Sequence, residues 1–202
     1  VPGQVLSPSL PPHKPIKKTV RHHHVLASKS QSDLVIGMIG PKRNDLEFYA
    51  ASLGNSVLGQ FGMMGRIGES VREKSGLAYH ASSSLSAGIG PGTWEVNAGV
   101  SPKNLKKAIG LIEQELRKFV KSGVTKDELA DSQANYIGRL PLSVESNGGV
   151  ASALLNIERY KLGMDYYQRY ESVVRSVTRD SVLETARKYI DPNRLVISTA
   201  GP

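Results

Sequence analysis

The sequence predicts a two-layer α+β domain with helices packed on one face of a mostly antiparallel sheet. Its predicted elements follow the order β-β-α-α-β-β-α-α-α-α-α-β, so strands occur in groups and do not alternate with helices as in a doubly wound parallel sheet. The 202 residues are 39% hydrophobic, which is enough apolar material for one domain with a substantial core.

The first part of the chain differs in composition from the rest. Residues 1–20 contain five of the eleven prolines, so we expect an extended linker there and a single domain over residues 21–202. A chain that begins with such a linker is expected to have been separated from an upstream part. The sequence does not indicate a compartment.

The first elements of the domain are two strands and a helix. Strands are predicted over residues 21–28 and 33–40, the second one fully buried. Asn44 to Glu47 form a capping-box sequence, which predicts a helix running to about residue 57. Its inner side is predicted to carry Leu46, Tyr49, Ala50, Leu53 and Val57.

The stretch over residues 59–85 is predicted to form a short helix, a turn at Ser75-Gly76 and a strand. The apolar stripe of the helix comprises Met63, Met64, Ile67 and Val71. The alternating pattern of the strand predicts one face formed by Leu77, Tyr79, Ala81, Ser83 and Leu85. The next strand, over residues 93–100, completes an antiparallel hairpin with it.

Five helices and one strand are predicted after the hairpin. The helices cover residues 101–123, 125–140, 145–162, 165–174 and 178–189, and the strand covers residues 195–197. Thr125 to Glu128 form a second capping box, and Pro141 is expected to interrupt the helix that it opens. The acidic residues Glu113, Glu115 and Glu128 are interpreted as solvated charge, and Ser82 to Ser84 as sheet surface.

Composition excludes several classes of function. Of the 26 basic residues, five lie within residues 1–32, which contain no acid, so the other 170 residues hold 21 basic against all 18 acidic groups. The net charge of +8 is therefore mainly a property of the N-terminal region, and a nucleic-acid partner is not expected. The absence of cysteine excludes disulfides and thiolate metal sites, and no apolar run approaches a membrane span.

Two other patterns point only weakly to binding sites. His22 and His24 would share one face of a strand, but no further ligand lies at suitable spacing, so no metal site is expected in this chain. Residues 36–43 resemble the Gly-x-x-Gly loop of KH-type RNA-binding domains. That loop should lie between two helices, whereas here a buried strand precedes it, which disfavours RNA binding.

Arg72 and Tyr79 are the candidate functional residues. They lie seven positions apart across the helix-to-strand turn, which can bring both side chains to one end of the sheet. A guanidinium with five donors and a phenol hydroxyl suit a carbonyl or a developing oxyanion. The alternative is structural, since an arginine at a helix C-terminus offsets the dipole and a strand tyrosine often fills a core.

The central stretch closely resembles a signature in the second half of pitrilysin/insulinase-family zinc metallopeptidases, which include the mitochondrial processing peptidases and their bacterial relatives. The matching residues are Leu58-Gly59, Arg66-Ile67 and Val71 to Tyr79. The likeness covers about residues 21–200 and includes the Gly123-Val124-Thr125-Lys126-Asp127-Glu128-Leu129 turn and the Leu142 to Ser146 segment.

The resemblance implies a divided active site. In the family, the first half carries an inverted zinc motif, His-x-x-Glu-His, and none of the five histidines here is followed by the required Glu-His. The resemblance therefore implies the non-catalytic half, with Arg72 binding a substrate carbonyl and Tyr79 stabilising the tetrahedral oxyanion. Zinc is expected on a homologous N-terminal half, fused or separate, and the substrate is a peptide.

A second interpretation also follows from the resemblance. The family includes halves that act only as scaffolds, so this chain could be a non-catalytic structural or interaction subunit. The retained Arg72 and Tyr79 argue against that interpretation without excluding it.

Overall fold

The computed structural model describes residues 15–60 and 65–202. The strands are β1 (Val20–Val25), β2 (Ser32–Ile39), β3 (Ala78–Ser86), β4 (Thr93–Val100) and β5 (Val196–Gly201). The helices are α1 (Phe48–Gly59), α2 (Gly65–Gly68), α3 (Leu105–Ser122), α4 (Lys126–Ser143), α5 (Asn147–Tyr160), α6 (Tyr166–Ser176) and α7 (Arg179–Tyr189). These elements confirm the predicted α+β class and the predicted order of strands and helices.

The five strands form one sheet in the order β1-β5-β2-β4-β3. Only β1 and β5 run parallel, whereas the other three pairs are antiparallel, as the grouped strands predicted. The last strand of the chain therefore lies between the first two. β3, the strand that follows the candidate helix and turn, is at an edge of the sheet.

The core lies between the sheet and the helices. β2 and β4 alternate, and they direct Leu34, Ile36 and Trp94 into the core, where they meet the buried face of α1. On the opposite face of the sheet, Val35 and Ile39 are exposed. This period-two pattern identifies the helix-covered side as the inner face.

The start of α1 differs from the prediction. The helix begins at Phe48, and the capping box predicted at Asn44 does not form. The Asp45 carboxylate instead accepts a hydrogen bond from the Lys42 amide at 2.8 Å, so it stabilises a turn before the helix. Leu46 then lies in that turn and is 99% exposed, so its predicted place on the inner side was wrong.

The start of α4 agrees with its sequence signal, but its end does not. Thr125 and Glu128 make both hydrogen bonds of the capping box. The predicted interruption at Pro141 was wrong, because Pro141 lies inside the last turn and the helix ends at Ser143. A proline near the end of a helix removes one donor, and here the Val144 amide still donates to the Pro141 carbonyl at 3.2 Å.

Some predictions concern residues outside the described ranges. Most of the predicted linker, residues 1–14, falls there, and so do Met63 and Met64 of the predicted apolar stripe. The other two members of that stripe, Ile67 and Val71, are fully buried.

Candidate functional site

The segment that carries Arg72 is a short helix that widens in its second half. α2 continues directly into a π-helical turn over Glu69–Glu73. The Lys74 amide donates to the Glu69 carbonyl at 2.8 Å, which is the i to i+5 spacing of a π-helix. Ile67 and Val71 anchor the segment in the core, so its apolar side is fixed and Arg72 faces away from the interior.

A tight turn then connects this helix to β3. Gly76 has φ +60°, a left-handed conformation that favours glycine. The Gly76 amide donates to the Arg72 carbonyl at 2.8 Å, and the Leu77 amide donates to the Val71 carbonyl at 3.0 Å. These two hydrogen bonds fix the residues just before β3 against the end of the Arg72 helix.

Tyr79 lies at an irregularity in β3. The register is regular from His80 onwards, but it shifts between Ala78, which is opposite Val100, and His80, which is opposite Gly99. Tyr79 is the extra residue of this β-bulge, and its side chain is 70% exposed. The predicted face that joined Tyr79 to Ala81 was therefore wrong at this position, because a bulge breaks the period-two alternation.

The rest of β3 is held by a buried polar cluster that the sequence analysis did not identify. The Asn55 Oδ1 atom on α1 accepts hydrogen bonds from Ser83 Oγ at 2.7 Å and Trp94 Nε1 at 2.8 Å. All three residues are buried. Ser83 was predicted to be sheet surface, and this was wrong: it shares the inner face of the sheet with Ala81, two positions earlier, and both are buried. One side chain thus links α1 to both β3 and β4.

The surroundings of Arg72 are charged and open. Its side chain is 36% exposed, and its Nε lies 3.5 Å from a carboxylate oxygen of the adjacent Glu73. One turn away, Lys74 and Glu69 form an ion pair at 2.8 Å, and their hydrogen bond raises the pKa of Lys74. The long Arg72–Glu73 separation leaves the guanidinium donors available for a ligand.

Arg66 lies at the start of the helical segment that carries Arg72, and its guanidinium makes three hydrogen bonds. Arg66 Nε and Nη2 donate to the two carboxylate oxygens of Glu128 at 2.7 and 2.5 Å, and Nη1 donates to the Gly123 carbonyl at 3.0 Å. Glu128 was predicted to carry a solvated charge. This prediction was wrong, because the planar guanidinium of Arg66 can donate to both oxygens of the Glu128 carboxylate at once. A cavity of about 290 Å³ beside this pair is also lined by Glu69, Glu73 and Asp131.

Histidines and carboxylates do not converge on a metal site in this part of the molecule. Within residues 15–60 and 65–202, no group of three or more histidine, aspartate or glutamate side chains is placed to hold an ion. His22 and His24 face the outer side of the edge strand β1, while His23 is within 2.8 Å of Thr199 Oγ1. The described residues therefore do not fit a zinc ion.

Comparison with known proteins identifies the family. The family described as the peptidase M16 inactive domain matches residues 2–136. An uncharacterized zinc protease of Streptomyces coelicolor is 31% identical over 176 residues, which are 85% of this chain and 37% of that protein. An uncharacterized zinc protease of Bacillus subtilis is 29% identical over 140 residues, or 68% of this chain and 34% of its own length. The chain belongs to the peptidase M16 family, as an inactive domain of that zinc protease family.

Solved structures agree with this assignment. The peptidase M16 inactive domain from Pseudomonas fluorescens superposes with a TM-score of 0.85 and 26% identity, over 97% of this chain and 47% of that one. The chain thus spans well under two thirds of the relatives that it matches. Among the described helices, none combines the length and the apolar character needed to cross a bilayer.

Proposed function

We propose that this chain is the substrate-binding half of a zinc-dependent metalloendopeptidase. In this proposal, Arg72 and Tyr79 complete an active site whose zinc motif lies on a homologous partner half, fused or separate. The observation that carries it is the β-bulge, which exposes Tyr79 directly after the turn that begins at Arg72. Bulges commonly redirect a side chain next to an active site.

Arg72 is proposed to bind a carbonyl group of the peptide. Its guanidinium is partly exposed, and the only acid paired with it in the described residues is Glu73, at 3.5 Å. A fixed cation with several N–H donors can orient a peptide carbonyl and draw electron density toward its oxygen. The neighbouring Val71 is fully buried, which limits the freedom of the backbone that supports Arg72.

Tyr79 is proposed to act on the oxyanion of the tetrahedral intermediate. Its phenol O–H can donate a hydrogen bond to the oxygen on which negative charge develops. A donor that is already held in place requires no rearrangement during the reaction, and this is why such donors accelerate acyl-transfer chemistry. The Asn55 cluster holds β3 as well, so the strand that supports Tyr79 has a second attachment besides the hydrogen bonds that tie its start to the Arg72 helix.

The zinc ion belongs, in this proposal, to the partner half. The names of the relatives support zinc chemistry in the family, and the described residues of this chain do not provide its ligands. When bound, zinc would supply an activated water for attack on the peptide. The residues of this chain bind and orient the carbonyl that is attacked.

A second function is a scaffold or interaction subunit without any catalytic role. The description of the matched family as an inactive domain favours it, and so does the exposed apolar side of α5, which carries Val150, Leu154 and Leu155. One observation would separate the functions. An intact His-x-x-Glu-His motif in the upstream or neighbouring coding sequence supports the peptidase, and its absence supports the scaffold.

The direct test combines the chain with its zinc-binding half and measures peptide hydrolysis. Tyr79→Phe removes one hydroxyl, so we expect kcat to fall roughly 10²-fold with a smaller change in KM. Arg72→Ala should lower kcat and raise KM, because a carbonyl contact acts in both binding and turnover. Tyr167→Phe, the same change at a half-buried tyrosine on α6, is the control and should leave both constants unchanged. Wild-type kinetics in both site variants would overturn the assignment.

A further inference from the structure

Arg66 connects the helix that carries Arg72 to a different part of the fold. Its guanidinium donates to Glu128, in the first turn of α4, and to the carbonyl of Gly123, at the end of α3. The side chains of Arg66 and Glu128 are only 20% and 30% exposed, respectively. Three hydrogen bonds therefore attach the start of the segment to the α3–α4 turn.

The other contacts of the segment restrain its distance from the core. A Cβ atom on Gly65 would lie 2.6 Å from the Val57 carbonyl oxygen, so the segment begins in close contact with α1. Ile67 and Val71 are fully buried below it. Apolar packing is non-directional, whereas a guanidinium–carboxylate fork has a defined orientation. Arg66 thus provides directional side-chain contacts that can fix how the start of the segment is rotated on the core, while its end is tied through the Arg72 and Val71 carbonyls.

A displacement at Arg66 would be transmitted to Arg72. Residues 65–73 are continuously helical, from α2 into the π-helical turn. Tyr79 is restrained by its strand, because β3 pairs with β4 and Ser83 of β3 donates a hydrogen bond to Asn55. The backbone hydrogen bonds of the turn join the two elements, and the orientation of Arg72 relative to Tyr79 depends further on the Arg66 contacts on one side and on the Asn55 cluster on the other.

We propose that the Arg66–Glu128 pair is a positioning device that holds Arg72 in the orientation in which it acts together with Tyr79. Arg66 is a positioning residue, since its donors are used within the protein and it acts through Arg72. This inference rests on the proposed peptidase function and adds to it the residues that align the substrate-binding arginine.

The substitutions follow from this geometry. Arg66→Met removes the charge and the fork but keeps a long side chain, and Arg66→Lys keeps the charge without the two-point geometry. The matched control is Arg179→Met. Arg179, on α7, donates through Nε to the Val124 carbonyl at 3.0 Å, so it braces the same α3–α4 turn without touching the Arg72 segment.

The first measurement uses amide hydrogen exchange of the full 202-residue chain. We expect Arg66→Met to accelerate exchange across residues 67–77, because the segment loses its directional contact. Arg66→Lys should give a smaller increase, and Arg179→Met should leave these amides unchanged. If the two Arg66 variants fold and exchange like the wild type in this segment, the proposal is overturned.

The second measurement is a double-mutant cycle in the complex with the zinc-binding half. Arg66→Met should lower kcat/KM by roughly 10- to 100-fold, the effect expected of a misplaced binding group, with partial recovery in Arg66→Lys. In an Arg72→Ala background, the same substitution should change kcat/KM by less than about twofold. Fully additive losses would show that Arg66 does not act through Arg72, and would overturn the proposal while the peptidase function stands.

The same cycle detects a failure of the proposed function itself. If Arg72→Ala alone leaves kcat/KM unchanged, Arg72 does not bind substrate, and both the function and the positioning role are overturned. In that case faster exchange in Arg66→Met would report only a contribution to local stability.

Discussion

Asn55 connects α1 to β3, the strand that carries Tyr79. Its Oδ1 accepts from both Trp94 Nε1 and Ser83 Oγ, and neither donor is accessible to water. Just beyond it, a Cβ atom on Gly59 would lie 2.2 Å from the Ser83 amide nitrogen, so α1 and β3 are in close contact there. An apolar residue at position 55 would leave the buried Trp94 Nε1 without this acceptor, while Ser83 Oγ would keep only its longer contact, 3.3 Å, to the backbone carbonyl of residue 55.

We predict that Asn55→Ala destabilises the domain by about 1–3 kcal/mol, the cost of leaving the buried Trp94 donor unsatisfied. The free energy of unfolding, measured by urea denaturation, should fall by that amount. Asn156→Ala, at an exposed position of α5, is the control and should change stability by less than about 0.5 kcal/mol. Equal stability of the two variants would show that the Asn55 hydrogen bonds contribute nothing net.

Tyr79 shows what the sequence could and could not predict at the scale of a residue. The resemblance singled it out as a candidate, and local spacing placed it near the start of a strand. Its orientation was wrong because a bulge arises from the pairing of β3 with β4, and strict alternation is the only pattern that β3 itself contains. Asn55 was missed for a similar reason, since its partners are 28 and 39 positions away in the chain.

At the scale of elements, the N-terminus of α4 has two roles. Glu128 closes the capping box with the Thr125 amide at 2.7 Å and also receives the Arg66 fork. Burial alone would raise the pKa of Glu128, but the hydrogen bonds from Arg66 and the Thr125 amide outweigh it, so the pKa is lowered. The ionised carboxylate therefore stabilises both α4 and the Arg72 segment.

The lowered pKa gives a prediction with a defined sign. A carboxyl group whose folded pKa is depressed contributes stability above its unfolded pKa, near 4.3, and this contribution is lost as the pH falls through the folded pKa. The difference in free energy of unfolding between the wild type and Glu128→Gln should therefore be largest near pH 6 and shrink toward about pH 3. Glu69, Glu73 and Asp131 line the same cavity and are present in both proteins.

Urea denaturation at several pH values measures this difference. The other carboxylates with lowered pKa values, Asp33, Glu47 and Asp191, make the total stability fall in acid for both proteins, so only the difference between them is informative. A difference that stays constant from pH 6 to about pH 3 would mean that the charge of Glu128 is unimportant.

Local sequence signals predicted one helix start correctly and another wrongly. The capping box at Thr125 predicted the start of α4 because both of its hydrogen bonds lie within four residues. The same signal failed at Asn44, where Asp45 bonds to the Lys42 amide and stabilises a turn instead. Sequence spacing cannot decide between two local hydrogen bonds of similar strength, and the surrounding fold selects one of them.

At the scale of the whole molecule, the order of strands brings the candidate residues to one edge. Among the described strands, β3 pairs with β4 alone, and this leaves Tyr79 at the edge of the sheet next to the end of the Arg72 helix. The histidines of β1 lie at the opposite edge. A substrate held by Arg72 and Tyr79 would therefore be separated from those histidines by the full width of the sheet.

This separation leads to a prediction about metal content. The 202-residue chain by itself should contain no stoichiometric zinc and should hydrolyse no peptide, because His22 and His24 offer two ligands at most and a zinc site in a protein needs at least three. Elemental analysis after dialysis measures the first expectation, and a peptide cleavage assay with and without the zinc-binding half measures the second. Zinc retained at one equivalent, and retained also after His22→Ala and His24→Ala, would place a metal site within this chain and contradict the division of the active site between two halves.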